Sequence, residues 1–410
     1  MNLKGSIPQD LSLLSKLERL SFDKNNLTNI NAIRTMSHVS TLTLGNNQLS
    51  GKLPAWLGGL SNLQELELSN NGLTSTIPTE FRTLKNLTTI SLGANKIKGN
   101  LNVIERMPTL TKIYLQDNLL TGTLDSEFLK NLERIQVLDL SNNDLTGTLD
   151  RPLLRRPHLE ILDLSGNGLK GVLPDFPHAS VLKFLALGSN NFEGSLPSSI
   201  SRLSLLQHLD ISDNKLTGTL PSNDLNAMTL LENLFLGANR HLTPGPFPNV
   251  VNLVRLKAVS LKETARTGAI PTWISNLNQL VLLDLEHNHF NSTIPSQLGT
   301  VSDLTILLLN HNDLTGSVPL VELRNLESLN VLILDETKVT GNINRLCGME
   351  MPVLIANCAM VRCECCTMCC SAHKPCLDRT WLQGFSPMWD RWYAKDKYQL
   401  SDGARFIPID

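Results

Sequence analysis

Residues Ile135–Leu149, IQVLDLSNNDLTGTL, decide how the rest of the chain is read. Leu138 and Leu140 alternate with Val137, Asp139 and Ser141, the period-two pattern of a short strand with one buried face. Asn143 follows, then Leu145, Gly147 and Leu149. An amide at that point can sit inside a turn and bond backbone groups that would otherwise be buried and unpaired. The glycine permits a tight turn, and the leucines on either side fill a core.

The phrase returns along the chain, with its Asn position at Asn25, Asn47, Asn71, Asn95, Asn118, Asn143, Asn167, Asn190, Asn214, Asn239, Thr264, Asn288, Asn312 and Thr337. These are 13 intervals of 22 to 25 residues, averaging 24. A fixed period of this size, with L-x-x-L-x-L-x-x-N-x-L at its centre, is the signature of a leucine-rich repeat. A second phrase, G-x-I/L-P, follows the Asn at Gly5–Pro8, Gly51–Pro54, Gly171–Pro174, Gly194–Pro197, Gly218–Pro221, Gly268–Pro271 and Gly316–Pro319. Ser75–Pro78 and Ser292–Pro295 repeat it with serine in place of glycine. Together the two phrases resemble the plant-type leucine-rich repeat of receptor-like proteins, receptor-kinase ectodomains and polygalacturonase inhibitors, over residues 1–346. The resemblance implies an α/β repeat fold: a curved solenoid with a parallel β-sheet on its concave face and loops or 3-10 turns on its convex face. It does not imply one ligand, because the same scaffold serves many.

Each coil of a repeat array contacts only its neighbours, so about 14 coils form one elongated body. Three segments are expected: the repeat array at 1–346, a Cys-rich C-terminal cap at 347–376 and an aromatic-rich extension at 377–410. With 36 Lys and Arg against 38 Asp and Glu the net charge is −2, which argues against a nucleic-acid partner. Leu3 and Gly5–Pro8 match the second half of a coil whose first half is missing. No signal peptide precedes them, and no run of 18 apolar residues follows. The expectation is therefore a truncated start, with any membrane anchor upstream.

The repeat pattern breaks in its later part. The tenth turn, Asn239–Pro246, is one residue longer than usual, and in the next coil Thr264 replaces Asn while Arg266 falls where a leucine should be buried. An unpaired buried Arg is costly, so this side chain must turn outward or find a partner. All eight cysteines come late, at Cys347, Cys358, Cys363, Cys365, Cys366, Cys369, Cys370 and Cys376. An even count placed where the last coil would expose its leucines reads as a disulfide-stapled cap, with 105 pairings open. The competing reading is zinc on Cys363, Cys366 and Cys369, with His373 and Cys376 close by. The phrase Val361–Cys370, VRCECCTMCC, resembles the segment that closes many leucine-rich-repeat proteins of diatoms, which implies an oxidising, extracytoplasmic compartment.

On the inner sheet, alternate side chains are expected to face solvent and stack in columns. The middle of that face carries Asp139, Asp163 and Asp210 beside Tyr114, Phe184, His208 and Phe235. Acids among exposed aromatics suit a basic peptide or a sugar. Nearer the cap, Leu282, Ile306, Leu308, Val331 and Ile333 make an apolar patch, to be covered by the aromatic tail or by a partner. Just past the strands, Glu263, His287, His311 and Glu336 share one position in four consecutive coils, which suits a divalent metal, a pH response or a charge-compensated surface. Asn26, Asn86 and Asn291 begin N-x-S/T sequons, glycan acceptors in a secreted chain, with Asn26 expected to be the most exposed.

None of the nucleotide-loop, hydrolase-elbow, zinc-protease or kinase motifs is present, so no enzyme activity and no cofactor is expected. The reading is a non-catalytic recognition module, an ectodomain binding a protein, peptide or glycan on its concave face. Two alternatives remain at this point: an intracellular scaffold with a zinc-binding cysteine cluster, and a secreted enzyme inhibitor or ice-binding protein. The latter rests partly on the turns Thr121–Thr123, Thr146–Thr148 and Thr217–Thr219.

Overall fold

The computed structural model describes residues 2–124, 131–178, 180–349 and 351–370. The Ile135 coil shows how each turn is built. The strand Val137–Asp139 runs into Asn142, which takes the left-handed conformation at φ 53° and turns the chain. Asn143 then points its amide inward. Its Nδ2 donates to Leu140 O, Ser141 O and, one coil back, Leu115 O, at 3.0–3.1 Å. Its Oδ1 accepts the Leu120 N–H at 3.0 Å. One side chain thus satisfies four buried backbone groups and ties two coils together. The amides of Asn47, Asn71, Asn95, Asn118 and Asn167 bond in the same way.

The chain divides into two compact units, Met1–Phe192 and Glu193–Asp410. In the first, eight three-residue strands from Arg19–Ser21 to Phe184–Ala186 pair parallel and in register. The register sets Tyr114, Asp139, Asp163 and Ala186 in one row and Lys112, Val137, Ile161 and Phe184 in the next. The middle residue of each strand is a core Leu or Ile. Past the Asn turn, a second parallel sheet forms from strands such as Ser50–Lys52, Gly72–Ser75 and Lys96–Gly99, where sequence reasoning placed only loops and 3-10 turns.

The G-x-x-P phrase now has a cause. Gly51 lies at φ 83°, and Pro54 opens the 3-10 helix Ala55–Gly59. Ser75 holds the equivalent place at φ 77° and bears the strain a glycine avoids.

In the second unit another eight strands, from His208–Asp210 to Met368–Cys370, pair parallel. Two of them lie beyond the last recognisable repeat phrase. Val353–Asn357 pairs in register with Val331–Ile333, and Met368–Cys370 pairs with Val353–Asn357 in turn. The segment after residue 346 thus begins as a further coil. Three disulfides close it: Cys347–Cys365, Cys358–Cys369 and Cys363–Cys366. Cys370 is disulfide-bonded as well. Cys363, Cys366 and Cys369 are therefore committed to sulfur partners, which removes them as zinc ligands. Cys376, His373 and the 377–410 extension lie outside the described residues.

Arg266 found partners rather than solvent. It is 3% exposed, and its Nε donates to Thr264 O at 2.8 Å and its guanidinium to Thr243 O at 2.6 Å. Burial holds its pKa below the usual arginine value. The longer turn that precedes this coil supplies Thr243, so the two irregularities compensate each other. Thr264 keeps part of the ladder by donating its hydroxyl to Leu261 O at 2.5 Å.

Candidate ligand-binding face

The side chains flanking each core leucine point to the outer side of the strand rows, but they are not uniformly open. Arg19 and Ser21 are exposed, and Thr41, Thr43, Glu65 and Glu67 are half-buried. Further along the first unit, Tyr114 is 8% exposed, Phe184 2%, and Asp139 and Asp163 are fully buried. The expectation of a solvent-facing acidic stripe is therefore corrected. Asp139 Oδ1 accepts from the Ser141 N–H and Oγ at 3.0 and 2.7 Å, and Asp163 Oδ1 accepts from Ser165 at 3.0 and 2.6 Å. These bonds draw each carboxylate back onto its own strand end, while in-register Tyr114 and Ala186 stand alongside. Burial, then the charges of Asp139 and Glu67, push the Tyr114 hydroxyl pKa well above its ordinary value.

In the second unit Asp210 repeats the arrangement, accepting from Ser212 at 2.9 and 2.6 Å. The recurring D-x-S was the missed signal: an acid at a strand end caps the backbone two residues on, as in an Asx turn. His208 and Phe235 face each other with ring centroids 5.6 Å apart. The five residues of the apolar patch belong to a larger cluster, with Phe235, Ala258, Val353, Ile355 and Cys370, in which no member is more than 7% exposed.

Beside that cluster, Asp284 Oδ2 accepts from Ser260 Oγ at 2.8 Å and its Oδ1 from the Glu286 N–H at 3.2 Å. Burial, reinforced by the charge of Glu286, pushes Asp284 up to about 7. Burial works against the neighbouring Lys262 ammonium too, but Glu286 and Asp284 outweigh it and raise its pKa. An acid whose folded pKa lies above its unfolded value binds more protons in the native state, so stability falls as pH rises from about 4 through about 7 and then levels off. Asp284→Asn is expected to stabilise the chain at pH 8 by about 1–2 kcal/mol. The difference from the parent should vanish near pH 4. Thermal melts at both pH values check the sign.

Glu263, His287, His311 and Glu336 all occupy the left-handed turn position, at φ 50–54°. His287 and His311 stack with centroids 4.0 Å apart, and Glu263 pairs with Arg240 at 2.5 Å. Among the described residues no group of three or more His, Cys, Asp or Glu side chains could hold a metal ion. Of the sequons, Asn86 and Asn291 are exposed, whereas Asn26 is half-buried in the strand Asn26–Asn29, with its Nδ2 donating to Asn2 at 2.8 Å. Asn26 is thus the least open of the three.

Models of the leucine rich repeat match residues 37–97 and 108–169, and a second such model matches 181–203, 205–226 and 279–301. The chain is built from leucine-rich repeats of the plant type. A stretch of 62 residues is 40% identical to a probably inactive leucine-rich repeat receptor-like protein kinase of Arabidopsis thaliana, covering 15% of this chain and 6% of that one. Among solved structures, a TDR receptor superposes at TM-score 0.76 with 27% identity, over 88% of this chain and 63% of the other. The Arabidopsis receptor kinase HAESA, in complex with the peptide hormone IDA and the co-receptor SERK1, superposes at TM-score 0.67 with 29% identity, over 83% and 61%. The leucine-rich-repeat chain thus spans under two thirds of each of these relatives. Among its described residues, no helix is long and apolar enough to cross a membrane.

Proposed function

We propose that this chain is a non-catalytic recognition module, an extracellular or membrane-tethered ectodomain of a receptor-like protein that binds a protein or peptide. The observation that carries the reading is the likeness, at 29% identity, to a receptor kinase captured with a peptide hormone. The disulfides in the last coil support an oxidising compartment. Within this proposal the ligand surface lies on the strand rows of each unit, with Tyr114 and Phe184 in the first and His208, Asp210 and Phe235 in the second. Large aromatic side chains are enriched in binding hot spots, and a carboxylate beside them favours a basic peptide by charge. A glycan on the same face is an alternative ligand.

A displayed random-peptide library, selected against the full chain, tests this. Enriched peptides should carry Lys or Arg. Asp210→Asn and Phe235→Ala should each weaken a selected peptide about tenfold or more, since a truncated hot spot costs above roughly 1–2 kcal/mol. Failure to enrich any peptide, or affinities indifferent to both substitutions, would remove the ligand from this face.

A further inference from the structure

In the first unit the sequence sets Arg151, Arg155 and Arg156 on one short stretch. Arg151 opens the helix Arg151–Leu154 and Arg155 follows it four residues on, a spacing at which like charges repel. Among the described residues none of the three guanidiniums has a hydrogen-bond or ion-pair partner, and the Arg156 Nε is buried without an acceptor. A charged donor left in that state is costly. The acids beside them in sequence are committed elsewhere. Asp150 accepts from Thr148 Oγ1 at 3.0 Å, and Glu160 pairs with Lys183 at 3.1 Å.

The following coil leaves room beside them. Elsewhere the proline of the G-x-x-P phrase opens a 3-10 helix whose first bond comes from the N–H three residues on: Leu57 to Pro54 O at 3.2 Å, Phe81 to Pro78 O at 3.1 Å and Ile200 to Pro197 O at 3.0 Å. Three residues after Pro174 stands Pro177, which has no N–H to give. Among the described residues no helix forms between the strands Gly168–Val172 and Phe184–Ala186. A cleft of about 420 Å³ results, lined by the three arginines, His178 and Ser180, with Leu154 and Pro177 as its apolar part. No carboxylate lines it.

We propose that this cleft binds a sulfate or phosphate ester carried on a small polar body, a sugar. The planar fork of an arginine grips a tetrahedral oxyanion with paired bonds, and three such forks share one cleft. Ser180 Oγ accepts from the Leu182 N–H at 3.3 Å and keeps its own proton to donate. The volume is that of a small-molecule site rather than of a lone ion, and buried Leu154 and Pro177 offer carbon to the body of the ligand. The only ring among the lining side chains besides proline is the His178 imidazole, so a nucleobase would find little to stack on. The lining residues belong to no strand row, so the site stands whether or not those rows hold a peptide.

Equilibrium dialysis of the full chain tests this, with the primary-alcohol phosphate and sulfate esters of glucose, inorganic phosphate, inorganic sulfate and glucose as probes. One equivalent of at least one ester should bind about tenfold or more tighter than either inorganic ion, and glucose should not bind. Affinity should fall as salt rises. Arg155→Ala with Arg156→Ala should weaken the ester about tenfold or more, with the far-ultraviolet circular dichroism unchanged. If that variant fails to fold, Arg156→Lys keeps the charge and removes the planar fork, and should still weaken binding several-fold. Two outcomes overturn the proposal. One is an inorganic ion held as tightly as its ester, which would make the occupant a free anion. The other is no ester bound at about 10 mM, or an affinity that neither variant moves, which would remove the site.

Discussion

Asn143→Ala is expected to cost on the order of 3–5 kcal/mol, far more than a surface asparagine would. The substitution removes an amide that makes four bonds at 3.0–3.1 Å within a buried turn. What remains is not neutral. The Leu120 N–H and the carbonyls of Leu115, Leu140 and Ser141 stay in place with no water to replace the amide, and an unpaired buried polar group costs about 1–3 kcal/mol. Asn143→Thr should cost about half as much. A threonine in this position still donates to its own coil, as Thr337 does to Leu334 O at 2.6 Å, although it cannot also reach the coil before. Chemical denaturation of the parent and the two variants gives the order directly. A loss below about 1 kcal/mol for the alanine variant would mean that the turn relaxes and water enters.

Cys347→Ser with Cys365→Ser is expected to destabilise the last coils by about 3 kcal/mol, the loop-closure value for a bridge of this span. The two cysteines are 18 residues apart and enclose the strand Val353–Asn357. Where the preceding coil has Leu334 and Thr337, this one has Ala356 and Ala359, so both its core contact and its ladder bond are reduced. Removing Cys363–Cys366 should matter much less, because it closes a loop of only three residues. In an array the loss should stay local. Amide hydrogen exchange should speed up in Val353–Asn357 and Met368–Cys370 and remain unchanged in strands near residue 210. Fast exchange throughout would instead mean that the bridges stabilise the whole unit.

Much of the fold was legible because its determinants are local and repeated. The Asn turn, the leucines and the Gly-x-x-Pro phrase each satisfy a backbone or packing need that recurs every 24 residues. The second sheet was not legible. Its strands, such as Ser50–Lys52 and Asp144–Gly147, are short and largely exposed, so they leave no hydrophobic period. The coil after residue 346 was missed for the opposite reason: alanines stand where the pattern demands Leu and Asn. The ligand face was legible as a set of positions but misjudged as a surface. Sequence set Asp139 and Asp163 facing solvent, and it assigned no role to the serine two residues on, which folds each carboxylate back. Asn26 was misjudged because the strand it starts pairs with Lys4–Ser6, a pairing carried by no side-chain pattern.

The Asn ladder also bears on how such a chain can change over generations. Each Oδ1 accepts from a backbone N–H about one coil behind it, 23 residues for Asn143 and 22 for Asn167. A deletion of ten residues would leave an amide facing the wrong part of its neighbour. Removal or copying of one whole turn would present every flanking amide with the partner it already expects. Unequal recombination between coils thus yields viable products in quantised lengths, and a gene for this protein can grow or shrink by whole turns while its intermediate lengths are purged.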